Sequence, residues 1–243
     1  MSAPKVAVII CAAGSSRRMG GGGKKEYRPL EKGLTVLGAA ASAFSLCPRI
    51  HAIVIAVPQD THAGECAARA SIPPDLLRER AAPPIRFVSG GASRRMSAHR
   101  GLTLLADSPP DYALIHDGAR PWVDRLLIER VIDGAMLHGA AIPCVPLAET
   151  PKEIDGQGFV KRHLRRSSVQ AAQTPQGFRY DALLAAHEKA ALRERREGIE
   201  YTDDAEVWGE FVGPVSVIAG STGNRKITFP EDLEDLVKEE STL

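Results

Sequence analysis

The stretch VAVIICAAGSSRRMG spans residues 6–20 and decides the fold class of this 243-residue chain. Its first five residues are all apolar and mostly β-branched, which is typical of a strand buried on both faces. The run then passes through small residues and Gly14 into Arg17 and Arg18. A turn of this kind brings main-chain amides close to anionic oxygens while the cations neutralise their charge. The stretch therefore predicts a buried strand that leads into a phosphate-binding loop.

Beyond this stretch, short β-branched runs alternate with longer segments that have apolar residues at helical spacing. The predicted strands are 5–11, 51–57, 85–89, 112–116, 140–146 and 214–218, and the predicted helices are 35–46, 61–70, 94–106, 124–138 and 179–196. This alternation favours a single Rossmann-like α/β domain over residues 1–243, with a mostly parallel twisted sheet and helices on both faces. Ligands of such sheets bind at the carboxyl ends of the strands.

The segment 147–176 breaks the alternation. Asp155-Gly156-Gln157-Gly158 lies between polar flanks that favour β-structure, which predicts a projecting hairpin arm. Projecting hairpins commonly bind a partner. The basic run 161–166 within the arm is, for most of its members, a solvated face.

Charge and cysteine usage narrow the class of protein. The chain has 31 Lys and Arg against 30 acidic residues, a net charge of +1, so no general electrostatic reason exists to bind nucleic acid or an anionic membrane. The four cysteines form no Cys-x-x-Cys pair, and we interpret them as reduced, mostly buried thiols. No stretch reaches the roughly 18 apolar residues of a membrane span. We expect a soluble, cytoplasmic protein.

Known phosphate and hydrolase motifs are absent from the glycine-rich turns. Gly14 does not begin a Gly-x-Gly-x-x-Gly fingerprint, and Gly23-Lys24 is followed by Lys25 rather than Ser or Thr. Gly-x-Ser-x-Gly is missing as well, which argues against a serine hydrolase. By itself the first loop is also compatible with a flexible, solvated surface.

Four further clusters strengthen the interpretation of the first loop as part of a site. Each cluster also has a purely structural explanation. The segment 90–97 could cap a helix, and 116–121 could hold a structural Asp–Arg pair. The segment 174–178 could be a simple turn, and 224–233 could be a basic strand before a helix, with a solvated lysine.

These clusters and the first loop, in this order, resemble the 2-C-methyl-D-erythritol 4-phosphate cytidylyltransferases, over essentially the whole chain. The most specific matches are AAG at 12–14, RRM at 17–19, KEY at 25–27, HDGARP at 116–121 and the segment 224–233. The resemblance implies a nucleotidyltransferase domain that joins CTP to a polyol phosphate and releases pyrophosphate.

The resemblance also implies roles for individual residues. The implied catalytic residues are Lys25, Lys226, Arg18 and Asp117, and Asp117 would also meet the Mg²⁺ carried by CTP. The implied nucleotide-binding residues are Ala12, Ala13, Gly14, Ser15, Gly90, Gly91, Ser97, Asp117, Gly118 and Thr174. The acceptor would be bound by Arg120, Thr150, Lys152 and Arg166, the last three in trans through exchange of the 147–176 arm in a homodimer.

The sequence departs from the family pattern at several positions. Ser16 replaces a common Gly, Glu26 replaces a common Gln, and 221–223 lack an acidic residue often present there, which puts a second metal carboxylate in doubt. We expect the loop 20–24 to become ordered only when CTP binds. Two alternatives remain open: a cytidylyltransferase for another polyol phosphate such as ribitol 5-phosphate, and a nucleotide-binding protein without catalysis.

Overall fold

The computed structural model describes residues 3–14, 16, 24–30, 33–59, 61–78 and 83–233. In this part of the chain, an eight-stranded sheet carries helices on both sides. Predictions for Ser15, Arg18 and the loop 20–23 concern residues outside the described ranges.

The strands occur in short segments that match the predicted β-branched runs. Six strands correspond to those predictions: β1 Val6–Cys11, β2 Ile50–Val57, β3 Ile85–Ser89, β4 Tyr112–Asp117, β5 Ala140–Pro146 and β10 Ser216–Ala219. The others are β6 Lys152–Ile154, β7 Val160–His163, β8 Gln170–Ala172 and β9 Gln176–Arg179. The order in the main sheet is β10-β5-β9-β4-β1-β2-β3, with β8 also paired to β5.

The helices confirm the five helical predictions to within one or two residues at most ends. They are α1 Val36–Ser45, α2 Thr61–Ser71, α3 Arg94–Leu104, α4 Arg125–His138 and α5 Tyr180–Glu197, followed by an unpredicted α6 Asp204–Phe211. The Asp203 side chain accepts a hydrogen bond from Glu206 N and caps α6.

Strand β1 explains the two-sided core. Its residues Val6, Val8 and Ile10 pack with α1, α2 and α4 on one face, whereas Ala7 and Ile9 pack with α3, α5 and α6 on the other. All five side chains are buried, so the continuous apolar run is required by burial on both faces.

The sheet is mostly parallel, as predicted, with one antiparallel insertion. Strand β9 lies between β4 and β5 and is antiparallel to both, and β8 continues the antiparallel pairing along β5. Because β1 pairs in parallel with β2 and β4, Cys11 and Asp117 lie side by side at the same edge of the sheet. The first loop and the 116–121 cluster therefore meet.

One interpretation of the 224–233 cluster, a basic strand that leads into a helix, is wrong for its first part. Residues 224–228 do not form a strand in the described structure. The segment instead crosses the strand ends, where Ile227 N donates to Ala119 O at 2.9 Å and Lys25 Nζ donates to Ile227 O at 2.7 Å. Isolated tertiary hydrogen bonds replace a ladder because the segment covers the sheet edge and does not extend the sheet.

The arm has the predicted hairpin. Strands β6 and β7 form a separate two-stranded antiparallel sheet. In its turn, Asp155 Oδ1 accepts from Gln157 N and Phe159 N, and Gly158 has a φ of 90°, which favours glycine. Ile154, Phe159 and Val160 are exposed on this ribbon. No helix in the described residues is both long enough and apolar enough to cross a membrane.

Candidate active site

A cavity of about 850 Å³ opens at the carboxyl ends of the parallel strands. The elements that contribute to it are the first loop, the turn after β2, the start of α3, the end of β4 and the segment 224–228. Its lining includes Ala13, Gly14, Lys24, Lys25, Glu26, Gly91, Arg94, Ser97, Asp117, Lys226 and Thr228. The structure thus brings together side chains from clusters that lie up to about 200 residues apart in sequence.

The first loop is stabilised by a small polar cluster. Ser16 Oγ donates to Glu26 Oε2 at 3.2 Å and accepts from Lys25 N at the same distance. Ser16 has a φ of 50°, a left-handed conformation that glycine adopts more readily than serine. Burial raises the pKa of the Glu26 carboxyl. The departures Ser16 and Glu26 therefore occur as a bonded pair.

Lys24 is a cavity residue that the sequence interpretation did not single out. Its Nζ donates to the carbonyl oxygens of Gly14 at 2.8 Å and Ala13 at 3.3 Å. The ammonium thus lies against the backbone of the first loop. Its position directly before Lys25 in a glycine-rich stretch was the available signal.

Ala12 lies beneath the cavity rather than in its wall. Its amide donates to Ala56 O and its carbonyl accepts from the Tyr27 hydroxyl, so both main-chain groups are engaged. The side chain is fully buried. In this conformation Ala12 positions Ala13 and Gly14, which do line the cavity.

Asp117 is the centre of the charged part of the site. Its Oδ1 accepts from Arg94 Nε at 2.9 Å, its Oδ2 accepts from Lys226 Nζ at 2.7 Å, and Arg120 Nε lies 3.9 Å from Oδ2. Burial alone would raise the pKa of Asp117, but the charges of Arg94 and Lys226 outweigh it and hold the pKa well below its ordinary value. Asp117 is therefore ionised at neutral pH and surrounded by cations.

Two other titratable side chains at this edge are unsuited to covalent chemistry. Burial raises the pKa of Cys11 to about 12, so its thiol stays protonated at neutral pH. Burial lowers the pKa of His116 to about 3, and the ring nitrogens face Arg120 O and Thr174 Oγ1. Both residues support the strand ends and carry no charge at neutral pH, so the positive charge of the cavity comes from lysine and arginine side chains.

The glycine turn before α3 forms a compact wall. Gly91 N donates to Ser97 Oγ at 3.0 Å, and Ser93 caps α3 by accepting from Met96 N. Gly90 N donates to Val57 O, and Gly90 O accepts from Arg100 at 2.6 Å. Gly91 and Ser97 therefore face the cavity, whereas Gly90 joins the turn to β2.

Replacing Gly90 with alanine is expected to destabilise the protein and disturb the first loop. The added Cβ would lie 2.3 Å from Ala13 Cβ and 2.9 Å from Val57 O. Relief of such overpacking lowers the free energy of unfolding by about 1–3 kcal/mol. Gly209→Ala is the control, because a Cβ there meets no heavy atom within 4 Å and its helix should gain about 0.5–1 kcal/mol. Urea unfolding tests both; equal stability of Gly90→Ala and wild type would refute the close packing.

A second cavity, of about 230 Å³, adjoins the first. Arg94, Asp117 and Lys226 line both cavities, so these three side chains mark their junction. The smaller cavity adds Arg120, Ala172, Gln173, Thr174, Gln176, Thr202 and Asp203. Thr174, which the family resemblance assigned to the nucleotide, lies in this smaller cavity, where its Oγ1 accepts from Asp117 N at 3.0 Å.

Gln173 and Asn224 hold the Lys226 segment, and the sequence interpretation missed both roles. Gln173 Nε2 donates to Ser221 O, and its Oε1 accepts from Ser221 N. Asn224 Nδ2 donates to Thr174 O at 2.8 Å, and Arg120 donates to Asn224 O at 2.7 Å. Gly118 N donates to Cys11 O and joins β1 to the same edge. The only sequence signal for Gln173 was a polar residue beside a predicted turn.

The arm residues lie apart from both cavities. Thr150, Lys152 and Arg166 are exposed and line neither cavity, and Arg166 donates to Ala148 O at 2.7 Å. Lys161 and Arg162 both pair with Glu153, at 2.9 and 2.7 Å. Most of the basic run is thus a solvated, internally paired face, as the sequence interpretation held.

Asp117 is the cavity carboxylate that the family resemblance assigns to a divalent cation. Among the described residues, no group of three or more His, Cys, Asp or Glu side chains could hold a metal ion. Asp117 lines the cavity at the strand ends; the Lys226 ammonium on its Oδ2 is partly exposed, whereas Arg94 on its Oδ1 is also held by Asp204. This arrangement fits Mg²⁺ that arrives on substrate phosphates, since that ion is commonly held by one or two carboxylates plus phosphate oxygens.

Comparison with known proteins identifies a family with this architecture. A family model described as 2-C-methyl-D-erythritol 4-phosphate cytidylyltransferase matches residues 6–237. The chain is 40% identical over 243 residues to the bifunctional enzyme IspD/IspF of Nitrobacter hamburgensis, covering 100% of this chain and 56% of that protein. A Rhodopseudomonas palustris relative with the same description is also 40% identical, over 98% of this chain and 56% of its own length. The chain thus spans just over half the length of these curated relatives.

Solved structures give the same comparison over nearly the whole of both compared chains. The 2-C-methyl-D-erythritol 4-phosphate cytidylyltransferase of Thermus thermophilus is 30% identical with a TM-score of 0.70, over 98% of this chain and 99% of that one. The 4-diphosphocytidyl-2C-methyl-D-erythritol synthase of Anaerococcus prevotii is 26% identical with a TM-score of 0.79, covering 98% and 97%. The predicted fold class is confirmed by these neighbours.

Proposed function

Because the chain belongs to the 2-C-methyl-D-erythritol 4-phosphate cytidylyltransferase family, we propose that it transfers the cytidylyl group of CTP to 2-C-methyl-D-erythritol 4-phosphate. The products are 4-diphosphocytidyl-2-C-methyl-D-erythritol and pyrophosphate. The observation that carries the proposal is the junction of the two cavities at Arg94, Asp117 and Lys226, where a donor and an acceptor phosphate can meet.

The cations at that junction suit the charge changes of this reaction. An oxygen of the acceptor phosphate attacks the α-phosphorus of CTP, and the bond from that phosphorus to the departing pyrophosphate breaks. Negative charge grows on the α-phosphoryl oxygens and on pyrophosphate, so catalysis consists of positioning and charge stabilisation. Protonated Cys11 and neutral His116 fit a mechanism without a covalent enzyme intermediate.

We assign the stabilisation of that charge to two lysines that line the larger cavity. Lys25 and Lys226 would flank the α-phosphate, with Arg18 and the first-loop backbone at Ala13, Gly14 and Ser15 on the β- and γ-phosphates. Lys226 Nζ now pairs with Asp117 and would turn to the phosphate when CTP binds. Gly91 and Ser97 would contact the base, while Gly90 and Gly118 support the walls of the nucleotide site.

Asp117 would also supply an oxygen to Mg²⁺ that is carried by the triphosphate. The bound ion would neutralise phosphate charge. In the protein itself, Arg94 and Arg120 balance the negative charge of Asp117. Arg120 and Thr174 would contact the acceptor in the smaller cavity. We further propose a cytoplasmic location, because CTP is an intracellular substrate and the four cysteines are free thiols.

The arm would complete the acceptor site of a second copy of this chain. Exposed Ile154, Phe159 and Val160 give the ribbon an apolar surface, and a two-stranded ribbon is marginal in water without a partner. Thr150, Lys152 and Arg166 would then reach the partner's smaller cavity in a homodimer. Exchange of an arm between identical subunits is a common route to dimers.

Arm exchange predicts complementation between two inactive variants. Arg166→Ala and Lys226→Ala should each be nearly inactive, yet their co-expressed mixture should regain about a quarter of the wild-type rate, since half of the dimers would hold one intact site. Size-exclusion chromatography and pyrophosphate release on the purified mixture measure this. Arg162→Ala is the control for Arg166, because Arg162 is paired with Glu153 within the arm. A mixture of two inactive variants that regains no activity would mean that Arg166 acts within its own subunit. An active Arg166→Ala protein would mean that Arg166 has no role in the reaction.

An acceptor panel tests the proposed reaction. Initial rates of pyrophosphate release from CTP and Mg²⁺ should be highest with 2-C-methyl-D-erythritol 4-phosphate. Higher kcat/KM with ribitol 5-phosphate would favour the other polyol phosphate as the acceptor. CTP binding without turnover on any acceptor would favour a nucleotide-binding protein without catalysis.

A further inference from the structure

A chain of charged and polar side chains runs from the protein interior to Asp117. His187 Nε2 lies 3.1 Å from Asp204 Oδ1, Arg94 Nη1 donates to Asp204 Oδ2 at 2.6 Å, and Arg94 Nε donates to Asp117 Oδ1 at 2.9 Å. The four residues lie on α5, α6, α3 and β4. His187 and Asp204 are fully buried, and neither lines a cavity.

The inner end of this chain is rigidly anchored. Asp204 is the first residue of α6, and its amide donates to Gln176 Oε1 at 3.1 Å. Gln176 Nε2 in turn donates to Asp203 Oδ2 at 2.8 Å, which joins the start of α6 to β9. Since Asp204 carries a negative charge beside Nε2 of His187, that nitrogen carries the proton and donates it. Both carboxylate oxygens of Asp204 are therefore engaged and fixed in direction.

This anchoring bears on the change that Lys226 must undergo. Lys226 and Arg94 share the Asp117 carboxylate, one on each oxygen. If Lys226 turns to a phosphate, Asp117 keeps its negative charge beside a polyanion, and its remaining cations in the protein are Arg94, bonded at 2.9 Å, and Arg120, whose Nε lies 3.9 Å from Oδ2. Arg94 can remain in place because Asp204 holds the opposite side of its guanidinium. A buried carboxylate that loses its counter-ion is strongly destabilised.

We infer that His187 and Asp204 are positioning residues that hold Arg94 as the standing counter-ion of Asp117, which leaves Lys226 free to exchange the carboxylate for substrate phosphate. The inference rests on the proposed cytidylyl transfer. It explains why Arg94 lies between the buried carboxylates of Asp117 and Asp204. It also assigns His187 and Asp204 a role in the reaction although neither contacts substrate.

Asp204→Asn tests the inference, and Glu194→Gln is a closely matched control. Glu194 on α5 pairs with Arg95 at 2.7 Å, so it is also a largely buried carboxylate that binds an arginine at the start of α3. No hydrogen bond or ion pair joins Glu194 to Asp117 in the described residues, and its partner Arg95 meets His187 at the main-chain carbonyl, 3.3 Å away, and not at the ring. Both variants should lose stability, but only Asp204→Asn should lower kcat at saturating CTP, by about tenfold, which is less than the loss of a group that meets the substrate because Asp204 acts through Arg94. Glu194→Gln should stay within about twofold of wild type per folded molecule.

His187 variants separate positioning from folding. His187→Leu removes the donor to Asp204 and should lower kcat about fivefold, whereas His187→Gln, whose amide can donate in place of Nε2, should recover most of that loss. Thermal unfolding gives the folded fraction for each variant. Equal kcat for Asp204→Asn and Glu194→Gln, or equal kcat for the two His187 variants, would overturn the inference.

A direct CTP-binding measurement keeps this test separate from that of the proposed function. If the wild-type protein releases no pyrophosphate with any acceptor, the proposed function fails. Calorimetric titration with CTP and Mg²⁺ then decides the inference: a CTP affinity at least about fivefold weaker for Asp204→Asn than for Glu194→Gln supports it. Equal affinities overturn it.

Discussion

Lys226→Ala is expected to lower kcat by about a hundredfold or more while weakening CTP binding by less than about tenfold. The physical reason is that Lys226 would meet the α-phosphate, where charge accumulates only in the transition state. The resting protein already satisfies Asp117 through Arg94, so removal of Lys226 leaves that carboxylate with a cation. Steady-state rates and calorimetric CTP titration measure the two effects.

The matched control is Arg225→Ala. Arg225 precedes Lys226 in the same segment, but it is exposed and its guanidinium lies 5.2 Å from the centre of the Trp122 ring. It should change kcat by no more than about twofold, because it lies outside both cavities. A Lys226→Ala protein with near wild-type kcat would remove Lys226 from the catalytic residues.

Asp117→Asn is expected to be the most damaging substitution for stability as well as activity. The neutral amide would leave the cations Arg94, Lys226 and Arg120 at one buried position without their shared carboxylate. Breaking a buried ion pair from one side lowers the free energy of unfolding by about 3–5 kcal/mol. Turnover should fall by about a hundredfold or more, because Lys226 and Arg120 lose the carboxylate that positions both of them.

The pH dependence gives this prediction a second readout. Since the pKa of Asp117 is depressed in the folded protein, its contribution to stability is present above the unfolded pKa of about 4 and is lost as the pH falls further. The difference between wild type and Asp117→Asn should thus be largest near neutrality and shrink in acid. Asp133→Asn, at an exposed pair with Arg49, should cost at most about 1 kcal/mol. A pH-independent difference for Asp117→Asn would contradict the charged role.

Sequence patterns predicted the strands and helices that are formed by an uninterrupted or periodic run of buried apolar residues. The apolar run of β1 could only be satisfied by helices on both faces, and its small-residue end had to emerge at the carboxyl edge of the sheet. Because β4 pairs directly with β1, the Asp117 cluster was bound to meet the first loop. The parts of the site that follow strand ends were therefore accessible from local patterns.

Elements that depend on distant contacts were not predictable in this way. Strand β9 is four residues long and shows no alternation, and Gly177 is required because a Cβ would lie 2.8 Å from Val131 and 3.0 Å from Leu114. The pairing of Arg94 with Asp204 joins residues 110 positions apart. The Lys226 segment resembles a strand in sequence but is held by single bonds to Ala119 and Lys25. Only the tertiary structure supplies those partners.

A crystal structure with CTP and Mg²⁺ tests the proposed catalytic site most directly. The triphosphate should fill the larger cavity with its α-phosphate between Lys25 and Lys226, Lys226 Nζ should have moved from Asp117 to a phosphate oxygen, and Arg94 should still contact Asp117. A triphosphate bound outside this cavity, or a Lys226 still paired with Asp117 beside a bound α-phosphate, would contradict the proposed site.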